Sequence, residues 1–203
     1  YSIFLEIFFK ALQKNNFKKP IILIVSLNLF NKQMKKLNYN FGINLLNGYR
    51  FNLKKIDKNK INIIDIKFKF KKVFDKISEK SNDYVEECFQ VALDVLKNNN
   101  CSGLITGPIS KRHFLKGKSL GITEYLAKKT NKKNNIAMVI FNKKLSVSPI
   151  TTHLALKDVH KGISKQKIYT HIKLITDFYK KNFKKKPKIA ITGLNPHCES
   201  NFK

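Results

Sequence analysis

With 203 residues and a mass of 23.6 kDa, the chain is long enough for one large or two small domains with a sizeable core. Hydrophobic residues make up 42% of it, including 16 Phe, which excludes disorder, and apolar runs such as Ile21–Val25 are far short of the ~20 residues of a spanning helix. The formal charge of +28 rests on 39 Lys and only 2 Arg, Arg50 and Arg112, whereas nucleic-acid surfaces lean on Arg for bidentate phosphate and guanine contacts. Lys, Asn, Ile and Phe together fill 101 of the 203 positions. These four share AT-rich codons, so the charge reads as compositional background, and no specific nucleic-acid partner is expected. Cys88, Cys101 and Cys198 show no CxxC spacing, which points to a reducing, cytoplasmic setting. Tyr1–Lys10 has neither a basic n-region nor a small-residue cleavage site, so no signal peptide is expected.

In chain order, Ile3–Leu12 reads as a helix with Ile3, Ile7 and Leu12 on one face. The run after Pro20 reads as a buried strand, and residues 31–60 as a short helix followed by weak strands. Ile61–Phe70 alternates apolar and polar residues, which predicts a strand with one wet face. Asp83–Lys97 is the clearest helix, with a capping box of Asp83 and Glu86 and with Val85, Cys88, Phe89, Ala92 and Leu96 at helical spacing. Ser102–Thr106 reads as a short strand, followed by a Gly107-Pro108 break and a helix from Ser110. Thr123 is the predicted N-cap of a helix to Lys129. Ile136–Phe141 and Leu145–Ile150 read as paired strands, Ser164–Asn182 as an amphipathic helix with Ile168, Ile172, Ile175 and Tyr179 inward, and Lys188–Thr192 as a final strand.

Strands alternating with helices predict an α/β layered fold with a largely parallel sheet, in which ligands gather at the carboxyl ends of strands. Three predicted strands end in Thr106-Gly107-Pro108, Thr151-Thr152-His153 and Gly193-Leu194-Asn195-Pro196-His197. His153 and His197 are candidate ligands for one divalent metal, since neutral imidazole suits such ions. From spacing alone they are equally a pair of hydrogen-bonded turn histidines, because no third His or carboxylate stands beside them. His113, His160 and His171 read as surface or boundary histidines. Residues 106–111 end in Ser110 and Lys111 without Walker or dinucleotide spacing, so they read either as an anion-holding turn or as a plain strand-to-helix turn.

The ordered segments Leu104–Lys111, Gly121-Ile122-Thr123-Glu124-Tyr125-Leu126, Thr151–Val159 and Gly193–His197 resemble the 4-hydroxythreonine-4-phosphate dehydrogenase family of pyridoxal 5'-phosphate (vitamin B6) biosynthesis. The resemblance implies an isocitrate/isopropylmalate dehydrogenase-like α/β subunit, incomplete here, with residues 1–118 in a first domain and 119–203 in a second, metal-binding one. It implies a cytoplasmic homodimer that uses NAD and a divalent metal (Zn, Co or Mg), with His153 and His197 as metal ligands and Thr123 as a substrate contact. The implied reaction is oxidation of 4-phosphooxy-L-threonine, a phosphorylated hydroxy amino acid, to a β-keto acid that decarboxylates to 3-amino-2-oxopropyl phosphate. The family histidine before that threonine is Ile122 here, and isoleucine donates no hydrogen bond. A related dehydrogenase of threonate or erythronate 4-phosphate is the nearest alternative, and a basic nucleic-acid-binding protein is the alternative from another class. The family's glycine-rich opening segment would precede Tyr1. Its third metal histidine and nicotinamide-binding loops would follow Lys203, so a fragment truncated at both ends, inactive alone, is expected, with no cofactor-binding residue inside the chain.

Overall fold

The computed structural model describes residues 3–15, 17–48, 51–98, 101–117, 119–132 and 135–195. It falls into two compact units, 1–118 and 119–203. Unit 1 is built on three parallel strands, β1 (Ile22–Val25), β2 (Ile43–Leu46) and β3 (Ile61–Asp65), in the order β1-β3-β2. Leu23 lies opposite Ile63 across β1 and β3, and Leu45 opposite the same residue across β2 and β3. The run that forms β1 is almost wholly β-branched, as suits a parallel strand covered on both faces.

On one face of this sheet, Leu23, Val25, Ile61 and Ile63 pack with Leu5 and Phe9 of α1 (Phe4–Lys14) and Phe30 of α2 (Leu27–Lys36). Phe9 is fully buried and meets Phe30 edge-on at 5.2 Å between ring centroids. On the other face, Leu46, Ile64 and Ile66 pack with Val95 of α3 (Asn82–Asn98). The result is a three-layer α/β/α arrangement, as alternation of elements predicts.

Several expectations are corrected by packing. In α1 the inward stripe is Leu5, Phe9 and Leu12, while Ile3 and Ile7 are exposed; the aromatic surface of Phe30, Tyr39 and Phe41 draws Phe9, not Ile7, into the core. β3 has no wet face, because it is the central strand and its first four residues are buried. Its one polar member there, Asn62, is fully buried but satisfied: its amide donates to the Asp57 carbonyl and its oxygen accepts from Asn44 and the Asp57 N–H. Helical backbone already begins at Asn82, after a turn at Glu79–Ser81, so Asp83 sits in the first turn of α3 and does not cap it. Residues 102–106 and 188–192 form no strand ladder, and Ile105 and Ile191 stay exposed; neither apolar run finds a paired neighbour among the described residues. Of the expected hairpin in 136–150, the single antiparallel bridge Ile140–Val147 forms.

Unit 2 carries α4 (Ile122–Lys129) and α5 (Lys165–Phe183). Ser164 caps α5 by accepting from the Lys167 N–H. Along α5, His171 is buried, with Ile168, Ile172 and Ile175 partly so. His171, read from sequence as a surface or boundary histidine, is thus buried and lies on the same stripe as the isoleucines. Phe183 at the end of α5 stacks on Phe141.

Candidate functional site

In unit 2, two of the residues expected to do chemistry, Thr123 and His153, lie near the start of α4. Gly121 caps this helix with an extended backbone (φ −158°, ψ 179°), and helical structure begins at Ile122. Thr123 is therefore not the cap, and its exposed side chain lies in the first turn, where backbone N–H groups lack helical partners. Ile122 is half-buried and apolar, and Glu124 turns inward.

His153 lies in a turn against that helix end. Its backbone is left-handed, with φ of 58°, a region few residues other than glycine enter without a local reason. The preceding residue ties the turn to α4, since the Thr152 hydroxyl donates to Glu124 Oε1 at 3.4 Å. Glu124 Oε2 is buried and has no hydrogen-bond partner among the described residues. A Cβ placed on Gly121 would lie 2.8 Å from that oxygen and 3.7 Å from His153 Nε2. The bare glycine thus leaves a small cradle faced by an imidazole nitrogen and an orphaned carboxylate oxygen.

The other expected ligand, His197, and Cys198 lie outside the described residues, and Gly193–Asn195 is exposed. No group of three or more His, Cys, Asp or Glu side chains converges among the described residues. What is present nevertheless fits part of a divalent-cation set, because nitrogen and carboxylate oxygen are the donors such ions take.

In unit 1, a cavity of about 500 Å³ opens beside the carboxyl end of β1. Its wall includes Phe4, Val25, Phe68, Tyr84, Ser110 and His113. Ser110 Oγ and His113 Nδ1 are 2.8 Å apart, a pair the sequence reading passed over although its spacing of three is helical. Lys111 is exposed. Gly107 is needed for packing: a Cβ there would fall 2.3 Å from Phe4 Cδ2. Deeper in, burial raises the Tyr84 hydroxyl above its ordinary range and pushes the Cys88 thiol up to about 12. Cys88 is thus a packing residue with little thiolate to offer.

The family model of the pyridoxal phosphate biosynthetic protein PdxA matches residues 16–202. The chain belongs to the PdxA family. It is 40% identical over 144 residues to a 4-hydroxythreonine-4-phosphate dehydrogenase of Sulfurihydrogenibium sp., covering 70% of this chain and 43% of that protein. A protein of the same name from Aquifex aeolicus is 32% identical over 161 residues, covering 75% and 50%. A D-threonate 4-phosphate dehydrogenase of Salmonella typhimurium is 30% identical over 128 residues, covering 62% and 39%. The chain therefore spans half or less of the length of these curated relatives. A solved structure described as a 4-hydroxythreonine-4-phosphate dehydrogenase from Salmonella typhimurium superimposes with a TM-score of 0.81 at 25% identity, over 98% of this chain and 62% of that one. A second, from Klebsiella pneumoniae, shares the fold with a TM-score of 0.72 at 22% identity, over 90% and 57%.

The PdxA fold likeness accounts for the parallel sheet and its layers. Glu124 is the site residue that sequence reasoning missed. Its signal was an acid inside an otherwise recognised Gly-Ile-Thr-Glu run, but nothing in the run says that the side chain turns inward toward residue 152.

Proposed function

We propose that the whole protein is an NAD-dependent, metal-dependent dehydrogenase of 4-phosphooxy-L-threonine, working as a cytoplasmic homodimer in vitamin B6 biosynthesis. The match of the PdxA model to residues 16–202 carries this reading, supported by the 40% identical relative of that name. The exposed apolar side chains of unit 2, such as Leu145, Leu156 and Ile191, suit a surface that a second copy covers. Among the described residues no helix is long and apolar enough to cross a membrane.

A divalent metal held by His153 and His197 would supply Lewis-acid polarisation of the C3 alcohol, and NAD would take up the hydride. The residues of this chain hold and orient. His153 presents Nε2 beside the cradle at Gly121, in a turn with left-handed backbone that the Thr152–Glu124 hydrogen bond ties to α4. His197 is proposed as the second ligand. Thr123 offers a hydroxyl in the first turn of α4, with the partial positive charge of the helix start behind it. Oxidation of the alcohol would pass its hydride to NAD and its hydroxyl proton to water; the resulting β-keto acid would lose carbon dioxide and take up a proton at the carbon left behind, giving 3-amino-2-oxopropyl phosphate.

A second reading, oxidation of D-threonate 4-phosphate, is supported by the relatives of that name. The deciding experiment follows NADH formation by the whole protein on each substrate, for the parent and for His153→Ala and His197→Ala. The parent is expected to prefer 4-phosphooxy-L-threonine, and each variant to lose at least about 100-fold in kcat/KM, about 2.7 kcal/mol of transition-state stabilisation. Preference for threonate 4-phosphate would establish the second reading. Full metal occupancy and full activity in both variants would overturn the assigned ligands.

A further inference from the structure

We propose that Glu124 is a positioning residue for the cation at His153: it fastens the turn that carries the imidazole and places a fixed negative charge beside the metal position. The inference rests on the reading of His153 as a metal ligand and names a residue that reading does not include.

Three observations converge on it. Glu124 Oε1 accepts the Thr152 hydroxyl at 3.4 Å, so the carboxylate ties α4 to the residue next to His153. Its other oxygen, Oε2, is buried without a hydrogen-bond partner among the described residues. Finally, Oε2 and His153 Nε2 both border the space left by the missing side chain of Gly121, at 2.8 and 3.7 Å from the point a Cβ would occupy.

Energetics give these facts a direction. A carboxylate oxygen withdrawn from water with no donor is unfavourable, the more so when it carries charge. The chain has 41 basic residues, yet among the described residues none forms an ion pair with Glu124. A cation drawn to the His153 nitrogen would supply the missing partner. The glycine then has a reason as well: a methyl group at 121 would meet Oε2 at 2.8 Å and push the carboxylate out of place. Partners of this kind, one step behind a ligand, typically change metal affinity 10- to 100-fold.

Cobalt titration of the whole protein, read by its visible d–d absorption, tests this without any turnover. His153→Ala is expected to abolish the signal. Glu124→Gln keeps the shape and the acceptor for Thr152 but removes the charge. It is expected to weaken cobalt binding roughly tenfold or more while melting no lower than the parent in the absence of metal, since an amide is easier to bury than a carboxylate. Gly121→Ala leaves every charge in place and is expected to weaken binding as well. If His153→Ala abolishes binding while Glu124→Gln and Gly121→Ala bind as the parent does, the role of Glu124 is overturned and the His153 ligand stands. A parent that binds no cobalt, or an unaffected His153→Ala, overturns the ligand reading and this inference with it. Should Glu124→Gln melt lower without metal, Gly121→Ala decides: weakened binding supports the inference, and parental binding overturns it.

Discussion

Gly107 shows how a residue that reads as site chemistry can be held in place by packing. In the sequence it belongs to a turn before Ser110 and Lys111, and the anion-binding reading came from that company. In the structure the ring and Cβ of Phe4 occupy the space a side chain would need, with Cδ2 at 2.3 Å and Cβ at 2.9 Å from an added Cβ. The clash includes the root of the phenylalanine, so rotating the ring cannot relieve it. Gly107→Ala is expected to lower stability by about 1–3 kcal/mol, as overpacking does. Gly103→Ala, which enters open space, is expected to leave stability nearly unchanged. Urea unfolding of the two variants side by side checks this. His153 illustrates the reverse case: its place in Thr-Thr-His was legible, but its left-handed backbone and its neighbour Glu124 were not, because both depend on a turn meeting a helix 28 residues earlier.

Among the elements, α2 depends on two strand ends. The Ser26 hydroxyl at the end of β1 accepts from the Leu29 N–H, and Asp65 at the end of β3 accepts from the Leu27 N–H at 2.9 Å. The Ser26 N–H in turn donates to the Tyr84 hydroxyl of α3. Burial alone would raise the Asp65 carboxyl, but the Lys67 ammonium and the Leu27 N–H outweigh it and hold the group below its ordinary value. Because the folded value is the lower one, this stabilisation is complete above the unfolded value near 3.9 and is lost as pH falls through the folded value. Asp65→Ala is expected to cost about 0.5–2 kcal/mol at neutral pH, the usual range for a lost helix cap. In thermal melts the gap between parent and Asp65→Asn should narrow steadily as pH is lowered from 5 toward 2. A gap independent of pH would show that the charge contributes nothing. α3 was readable from spacing and α2 only as a short helix somewhere in 31–60, but this cap was not: Ser26 and Asp65 are 39 positions apart and come together only because β1 and β3 pair in register, Val25 opposite Asp65.

For the molecule as a whole, the charge of +28 calls for a test against the nucleic-acid alternative. The ion pairs described are mostly between near neighbours, such as Lys60 with Asp57 and Lys161 with Asp158, which fits lysine used as a solvated surface residue. Binding to duplex DNA is expected to show no sequence preference and to disappear between about 50 and 200 mM salt, as counterion release dictates. Sequence-selective retention at the higher salt, measured by filter binding, would revive the alternative.

Much of this molecule is set locally. The helices, the buried apolar strand at 22–25 and the histidine-bearing motifs follow from residue order, because helical spacing, β-branching and motif composition act over a few neighbouring positions. Tertiary structure decided which faces turned inward, which apolar runs entered a sheet and which did not, and that Glu124 faces the histidine turn. Those outcomes depend on partners distant in the chain: a strand needs a ladder to join, a helix needs a surface to choose its buried stripe, and an orphaned carboxylate is recognised only once everything around it is in place.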